Sequence, residues 1–364
     1  MDWMNRYAQL LVHYCLSVRE NDVVLVRSTP LATPLLQPLY AEILACGAQA
    51  EFLLTFENQD SIFYNNVQES HIADLPHFYP YSAERFTHSL TIDAPYCVKE
   101  LARVSSSLKS RRRQAFTEVK RRVMQRSADG EFRWALCVFP TESMATEAGM
   151  NVPEFESFVQ QACFLHTEDA ISAWKDLGKT QQRVTDFLNT KSQIRYVGPG
   201  TDISFSTLGR KWINSDGKRN MPSGEVFTSP VETSVNGHIT FNYPTLYEGR
   251  DVSTISLEVV DGVIMSWSAF QGQDVLDEVF QVPGARVFGE AAIGMNPHIQ
   301  QPIKDILFDE KIGGSVHMAI GASYPEAGGK NESAVHWDMI TDMKNGGHIY
   351  ADEQLIYKNG LFIF

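Results

Sequence analysis

Five side chains of metal-binding type lie between positions 220 and 340, each inside a short apolar run. Glu225 sits in MPSGEVFTSP, Glu290 in ARVFGEAAIG, His317 in GGSVHMAIG, and His336 and Asp338 in ESAVHWDMI. Carboxylates and imidazoles are rarely buried without a partner, because removing them from water is costly. His336 and Asp338 are two residues apart, so in a strand both project from one face. Taken singly, each residue has a plainer reading. The pair could be a structural hydrogen bond, His317 a satisfied core histidine, and Glu225 and Glu290, which directly follow Gly224 and Gly289, rim charges at turns. Together they are oxygen and nitrogen donors without a thiolate, a set suited to zinc first, and to cobalt, manganese or magnesium as alternatives. Five ligands exceed the roughly three of a mononuclear catalytic zinc. If one carboxylate bridges, two divalent ions per chain are accommodated, the arrangement that activates water for hydrolysis. No H-E-x-x-H occurs, so a helix-borne single-zinc protease site is not matched. A second chemistry stays open: His317, His336 and Asp338 as the facial triad of a mononuclear iron(II) dioxygenase, with Glu225 and Glu290 structural. A third is a non-enzymatic scaffold holding a stabilising ion.

Two kinds of element must position these residues. Residues 3–19 and 33–46 carry helical apolar spacing, and DVVLVRS and AEFLLTF are short strand-like runs. A long helix is expected over about 98–127, a strand at 132–140, and helices at 142–149, 153–167 and 170–190. Such alternation predicts an α/β N-terminal domain, residues 1–192, with a largely parallel sheet. It contains no G-x-G-x-x-G, P-loop or G-x-S-x-G, so the sheet is expected to be architectural. From 193 to 364 short strands separated by Gly, Asn, Asp and Pro predict a mainly antiparallel β (α+β) domain carrying the metal-type residues. Val260-Asp261-Gly262-Val263 and Lys358-Asn359-Gly360-Leu361 are two-residue hairpin signals.

At 364 residues the chain exceeds the usual single core, which fits two domains. A net charge of −13 argues against nucleic acid as partner. No apolar run reaches the length of a membrane span, and no signal peptide is evident, so a cytoplasmic setting is expected. The five cysteines are widely spaced, without CxxC, and read as reduced thiols. The basic stretch Lys109–Arg122 reads as a solvated helix face rather than a phosphate site.

NMPSGEVFTSPVE, FGEAAIGMN and GGSVHMAIGASYPEAGGKNESAVHWDM resemble the metal-binding blocks of the aminopeptidase T and aminopeptidase S metallopeptidases. The N-terminal YAQLLVHYCLSVRENDVVLVRSTPLATPLLQPLYAEIL is similar to that family's opening segment, so the resemblance spans nearly the whole chain. It implies a two-metal exopeptidase, usually a homodimer, acting on peptides with a free N-terminus and broad preference. It also implies ligand roles for Glu225, Glu290, His317, His336 and Asp338, and makes Tyr324 the active-site tyrosine, with Glu225 and Glu290 counted among the catalytic groups. Eighteen residues separate His317 from His336. That loop is shorter than in some relatives, which bears on pocket shape rather than on the ligands.

Overall fold

The computed structural model describes residues 3–364. They form two compact units: residues up to Ser172 together with Gly217–Pro222, and Ala173–Asp216 together with Ser223–Phe364. In the first, β1 (Val23–Ser28), β2 (Gln49–Leu54), β3 (His88–Asp93) and β4 (Arg133–Val138) make a parallel sheet ordered β2-β1-β3-β4, extended by the short strand Asn220–Met221. Val24, Leu25 and Val26 are all buried. A strand covered on both faces needs such an unbroken apolar run. Helix α1 (Thr33–Ala45) follows β1 and buries Leu35, Leu36, Leu39 and Ile43.

Three sequence expectations change here. HSLTID was not expected as a strand, yet β3 lies at the sheet's centre between β1 and β4. Its polar residues dilute the apolar signal; His88 Nδ1 lies 2.8 Å from Thr87 Oγ1, and the Ser28 hydroxyl of β1 donates to the Ile92 carbonyl at 2.9 Å. The single helix expected over 98–127 is two, Ser106–Ala115 and Thr117–Ala128, broken at Phe116, whose ring packs edge-on against Tyr79. The opening helix is α-helical only over Trp3–Gln9 and continues as a π-helix over Leu10–Leu16. The basic stretch is tied down locally: Arg111 pairs with Glu69, Arg122 with Glu84, and Arg112 donates to the carbonyls of Ile72 and Asp74.

The second unit begins twenty residues before the expected change of texture at 193, because α2 (Ala170–Leu188) packs into its core through Val184 and Leu188. One sheet is a nine-stranded antiparallel array that includes both predicted hairpins. Asp261 and Gly262, and Asn359 and Gly360, all have positive φ, as such tight turns require. The other sheet has β5 (Glu225–Thr228), β6 (Phe288–Gly294), β7 (Ser315–Gly321) and β8 (His336–Asp342) in the order β8-β7-β6-β5, with Ile213–Ser215 at the outer edge. Val226, Ala291, Ile293, Val316, Met318, Ile320, Trp337 and Met339 from this sheet enter one core with Tyr196, Phe205, Phe241 and Leu257 of the nine-stranded sheet.

Leu188 is fully buried in that core. Leu188→Ala should cost about 2–5 kcal/mol, the range for emptying a packed leucine site. Met265→Ala, at a position 61% exposed, should stay within about 0.5 kcal/mol. Urea unfolding of both variants checks this; equal losses would contradict the assignment of α2 to this core.

Candidate metal centre

Strand periodicity and register bring the five residues onto one face. Glu290 pairs with Ala319 and Ala319 with Asp338, so these three form a row across β6, β7 and β8. His317 lies two residues before Ala319, and His336 two before Asp338, on the same face. Glu225 pairs with Gly294, which places it on that face of β5. Between the functional groups the face carries Ala292, Gly294, Ala319 and Gly321. These small residues leave room above the sheet.

Glu290 reaches this face only through a bulge. Phe288 is in the core and would share a face with Glu290 in a regular strand, but the register shifts between the two. An extra residue in one strand reverses the alternation beyond it. That residue is Gly289, whose backbone is so close to β7 that a Cβ would lie 2.2 Å from the Ala322 carbonyl oxygen. Gly224, before Glu225, has φ +114 and faces Asn296, where a Cβ would meet the side chain at 2.8 Å. The amide of Gln181 on α2 anchors β5 by donating to the carbonyls of Glu225 and Ser215 at 2.7 and 3.0 Å.

His317 Nε2 is 3.3 Å from Glu225 Oε2, 3.7 Å from Glu290 Oε1 and 4.0 Å from Asp338 Oδ1. His336 Nε2 is 3.2 Å from Glu290 Oε2 and 3.5 Å from Asp338 Oδ2. Two donor triads result, Glu225/Glu290/His317 and Glu290/His336/Asp338, sharing Glu290 through different oxygens. Within each triad one atom per residue lies within 4.8 Å of the others. Glu225 Oε2, Asp338 Oδ1 and both ring nitrogens of His317 are buried with no hydrogen-bond partner. Buried polar atoms are almost always satisfied, so the orphaned Glu225 Oε2 and Asp338 Oδ1, which both approach His317 Nε2, fit a cation. His336 donates from Nδ1 to the Ala322 carbonyl at 2.8 Å, which turns Nε2 inward.

Electrostatics tell the same story. Burial would raise Glu290, but His317 and His336 overcome it and hold its pKa down at about 2. Burial opposes a charged His336, but Asp338 and Glu290 prevail and raise its pKa to about 10; His317 is also raised. Glu225 and Asp338 are raised by desolvation, only partly offset by Lys311, His317 and His336. The face thus favours protonated His317 and His336 in place of other positive charge, and a metal ion held there would release those protons.

Two neighbours escaped the sequence reading. Lys311 is completely buried, with its ammonium 2.8 Å from Glu225 Oε1 and also paired with Glu310. Glu310 forms a third donor group with His317 and Asp338. Nothing in FDEKIGG distinguishes these charges from a solvated turn. Tyr324, singled out from the sequence, sits at the open side: its hydroxyl is 3.4 Å from His336 Nε2 and its ring packs on Phe227 and His336. Burial of the phenol, then the nearby Glu290, Asp338 and Glu225, raise its pKa strongly, so it stays neutral and able to donate.

The description "thermophilic metalloprotease (M29)" belongs to a family model that matches residues 2–362. The chain belongs to this metalloprotease family. Aminopeptidase PepS of Streptococcus thermophilus is 32% identical over 264 residues, 62% of each chain, so the match spans under two thirds of that relative's length. AmpT of Thermus thermophilus superposes with a TM-score of 0.86 over 100% of this chain and 99% of its own, at 20% identity. A 2,5-dihydroxypyridine dioxygenase from Pseudomonas putida superposes with a TM-score of 0.59 over 99% and 96%, at 14% identity. At such identities these superpositions show the M29 chain's fold alone. Membership in a metalloprotease family implies divalent metal ions.

A divalent ion should therefore stabilise the folded M29 chain. At about 100-fold over its dissociation constant the gain is about 2.7 kcal/mol, read as a rise in Tm when zinc is added to chelator-treated protein. Ala319→Leu, which fills the floor between Glu290 and Asp338, should abolish that rise; an undiminished rise would place the ion elsewhere.

Proposed function

We propose that the chain is a metal-dependent aminopeptidase that removes N-terminal residues from peptides with broad preference, using water activated by two divalent ions. The supporting observation is the pair of donor triads sharing Glu290. Glu225, Glu290 and His317 would hold one ion, and Glu290, His336 and Asp338 the other; zinc suits this donor set best, with cobalt, manganese or magnesium as alternatives. When bound, the ions supply Lewis-acid polarisation of the scissile carbonyl and a lowered pKa for the attacking water.

The remaining work falls to the side chains. Tyr324, neutral and at the open side, donates a hydrogen bond to the carbonyl oxygen as it gains negative charge. A carboxylate not fully committed to an ion would take up the proton from the water and return it to the leaving amine. Lys311 holds Glu225 and Glu310 in place by ion pairing. With two divalent ions bound, Glu225, Glu290, Asp338, Glu310 and Lys311 carry no negative surplus, so the preference for a free N-terminus would rest on its α-amino group reaching one ion or a nearby carboxylate. That preference is what makes the activity an exopeptidase. A homodimer and a cytoplasmic, reducing setting belong to the same proposal; the cysteines are free, and no helix among the described residues is long and apolar enough to cross a membrane.

The rival reading places one iron(II) on His317, His336 and Asp338. The superposition on a dioxygenase makes it worth testing, but it leaves the orphaned Glu225 Oε2 without a role. One iron per chain with oxygen-dependent turnover would favour the triad.

Chelation should abolish hydrolysis of an aminoacyl anilide, and zinc or cobalt should restore it; chelator-resistant turnover would count against the site. Acetylating the substrate's N-terminus should stop cleavage. Tyr324→Phe should lower kcat about 10²–10³-fold, the cost of one lost oxyanion donor, with metal content unchanged by elemental analysis.

A further inference from the structure

We infer that the first unit carries a separate small-molecule site at the carboxyl end of its parallel sheet, shaped and charged for a free α-amino acid. The chain leaves β1 toward β2 on one side and returns to β3 on the other. Such a reversal opens a crevice beyond the strand ends, where open α/β sheets bind ligands. A cavity of about 280 Å³ lies there, lined by Ser28 at the end of β1 and Thr29 after it, Thr55 after β2, and Asp93 at the end of β3 with Ala94 after it. Its volume suits a molecule below drug size.

The charges on the wall are unmatched. Arg27 lines the cavity, its Nε is buried without a hydrogen-bond partner, and its guanidinium carbon lies 5.8 Å from the centre of the Tyr79 ring. No carboxylate among the described residues pairs with it. Asp60 and Glu100 also line the cavity, and Glu100 is fixed by accepting the Ser61 backbone N–H at 2.8 Å. Burial and then Glu100 raise the Asp60 carboxyl against the opposing pull of Arg112, and burial raises Asp93. Burial correspondingly lowers Arg27. Desolvated charges are costly until paired.

One cation and several carboxylates, held apart from each other, complement a ligand with one carboxylate and one ammonium. Arg27 receives the carboxylate, the Asp60–Glu100 pair the ammonium, and Phe56, Tyr79 and Tyr96 offer aromatic surface to an apolar side chain. The excess of carboxylates weighs against a phosphate or nucleotide. The inference does not depend on the peptidase reading, since its measure is binding.

Calorimetric titration of the intact, metal-loaded protein with L-phenylalanine tests it. One saturable site is expected in this unit. Arg27→Gln, and separately Glu100→Gln, should weaken it about tenfold or more, the loss of one desolvated charge partner. N-acetyl-phenylalanine and phenylalaninamide, each lacking one charge, should bind correspondingly worse. Asp338→Asn, at the metal centre, should leave the site intact. Absence of saturable binding, or binding lost in Asp338→Asn and unaffected in Arg27→Gln, would overturn the inference. If Arg27→Gln does not fold by its melting curve, Glu100→Gln and the two analogues decide.

Discussion

Three carboxylates and two imidazoles share one largely buried sheet face, and their charge must be balanced there. Most of the second unit's local architecture follows from that requirement. The face cannot be tiled with large apolar groups, because the donors need to converge; Ala292, Gly294, Ala319 and Gly321 keep it shallow. The opposite face of the same strands supplies the compensation. Val316, Met318, Ile320, Trp337 and Met339 pack into a continuous core and hold the donors rigidly from behind. Rigid strands fix ligand geometry better than loops do.

Lys311 shows how that balance is held within the protein. A fully buried ammonium is expensive, and it is tolerated because Glu225 and Glu310 both reach it. It neutralises one side of the cluster and leaves the inner oxygens of Glu225 and Asp338 still without partners. The remaining deficit lies toward His317 and His336, where two donor triads meet at Glu290. On the open side, His336 and Tyr324 keep contact with solvent while Glu225, Glu290, His317 and Asp338 do not. One edge of an otherwise enclosed centre is therefore open to solvent.

The first unit handles charge differently. Among the described residues its sheet brings no metal-type donor cluster together, but beyond its topological reversal Arg27 lines one cavity with Asp60, Asp93 and Glu100 without pairing with them. The sequence offered no phosphate-binding loop there, and that absence suggested a purely architectural sheet. Only the strand order shows a crevice at β1 and β3, and β3 itself went unrecognised because His88, Ser89 and Thr91 dilute its apolar run.

The donor types and their apolar settings were legible from the chain alone, because a charged or imidazole side chain inside a short hydrophobic strand is costly wherever the strand goes. So were the change from α/β to antiparallel texture and the two Asp-Gly and Asn-Gly hairpins, since these depend on local periodicity and on positive φ. The His336–Asp338 alternation gave one pair its common face. What needed tertiary structure was everything set by register between distant strands: the row Glu290–Ala319–Asp338, the placing of Glu225 opposite Gly294, and the burial of Lys311 against Glu225. The bulge at Gly289 belongs to the same class. Its glycine is visible in the sequence, but whether Glu290 faces the core or the donors depends on a one-residue shift that only the neighbouring strand imposes.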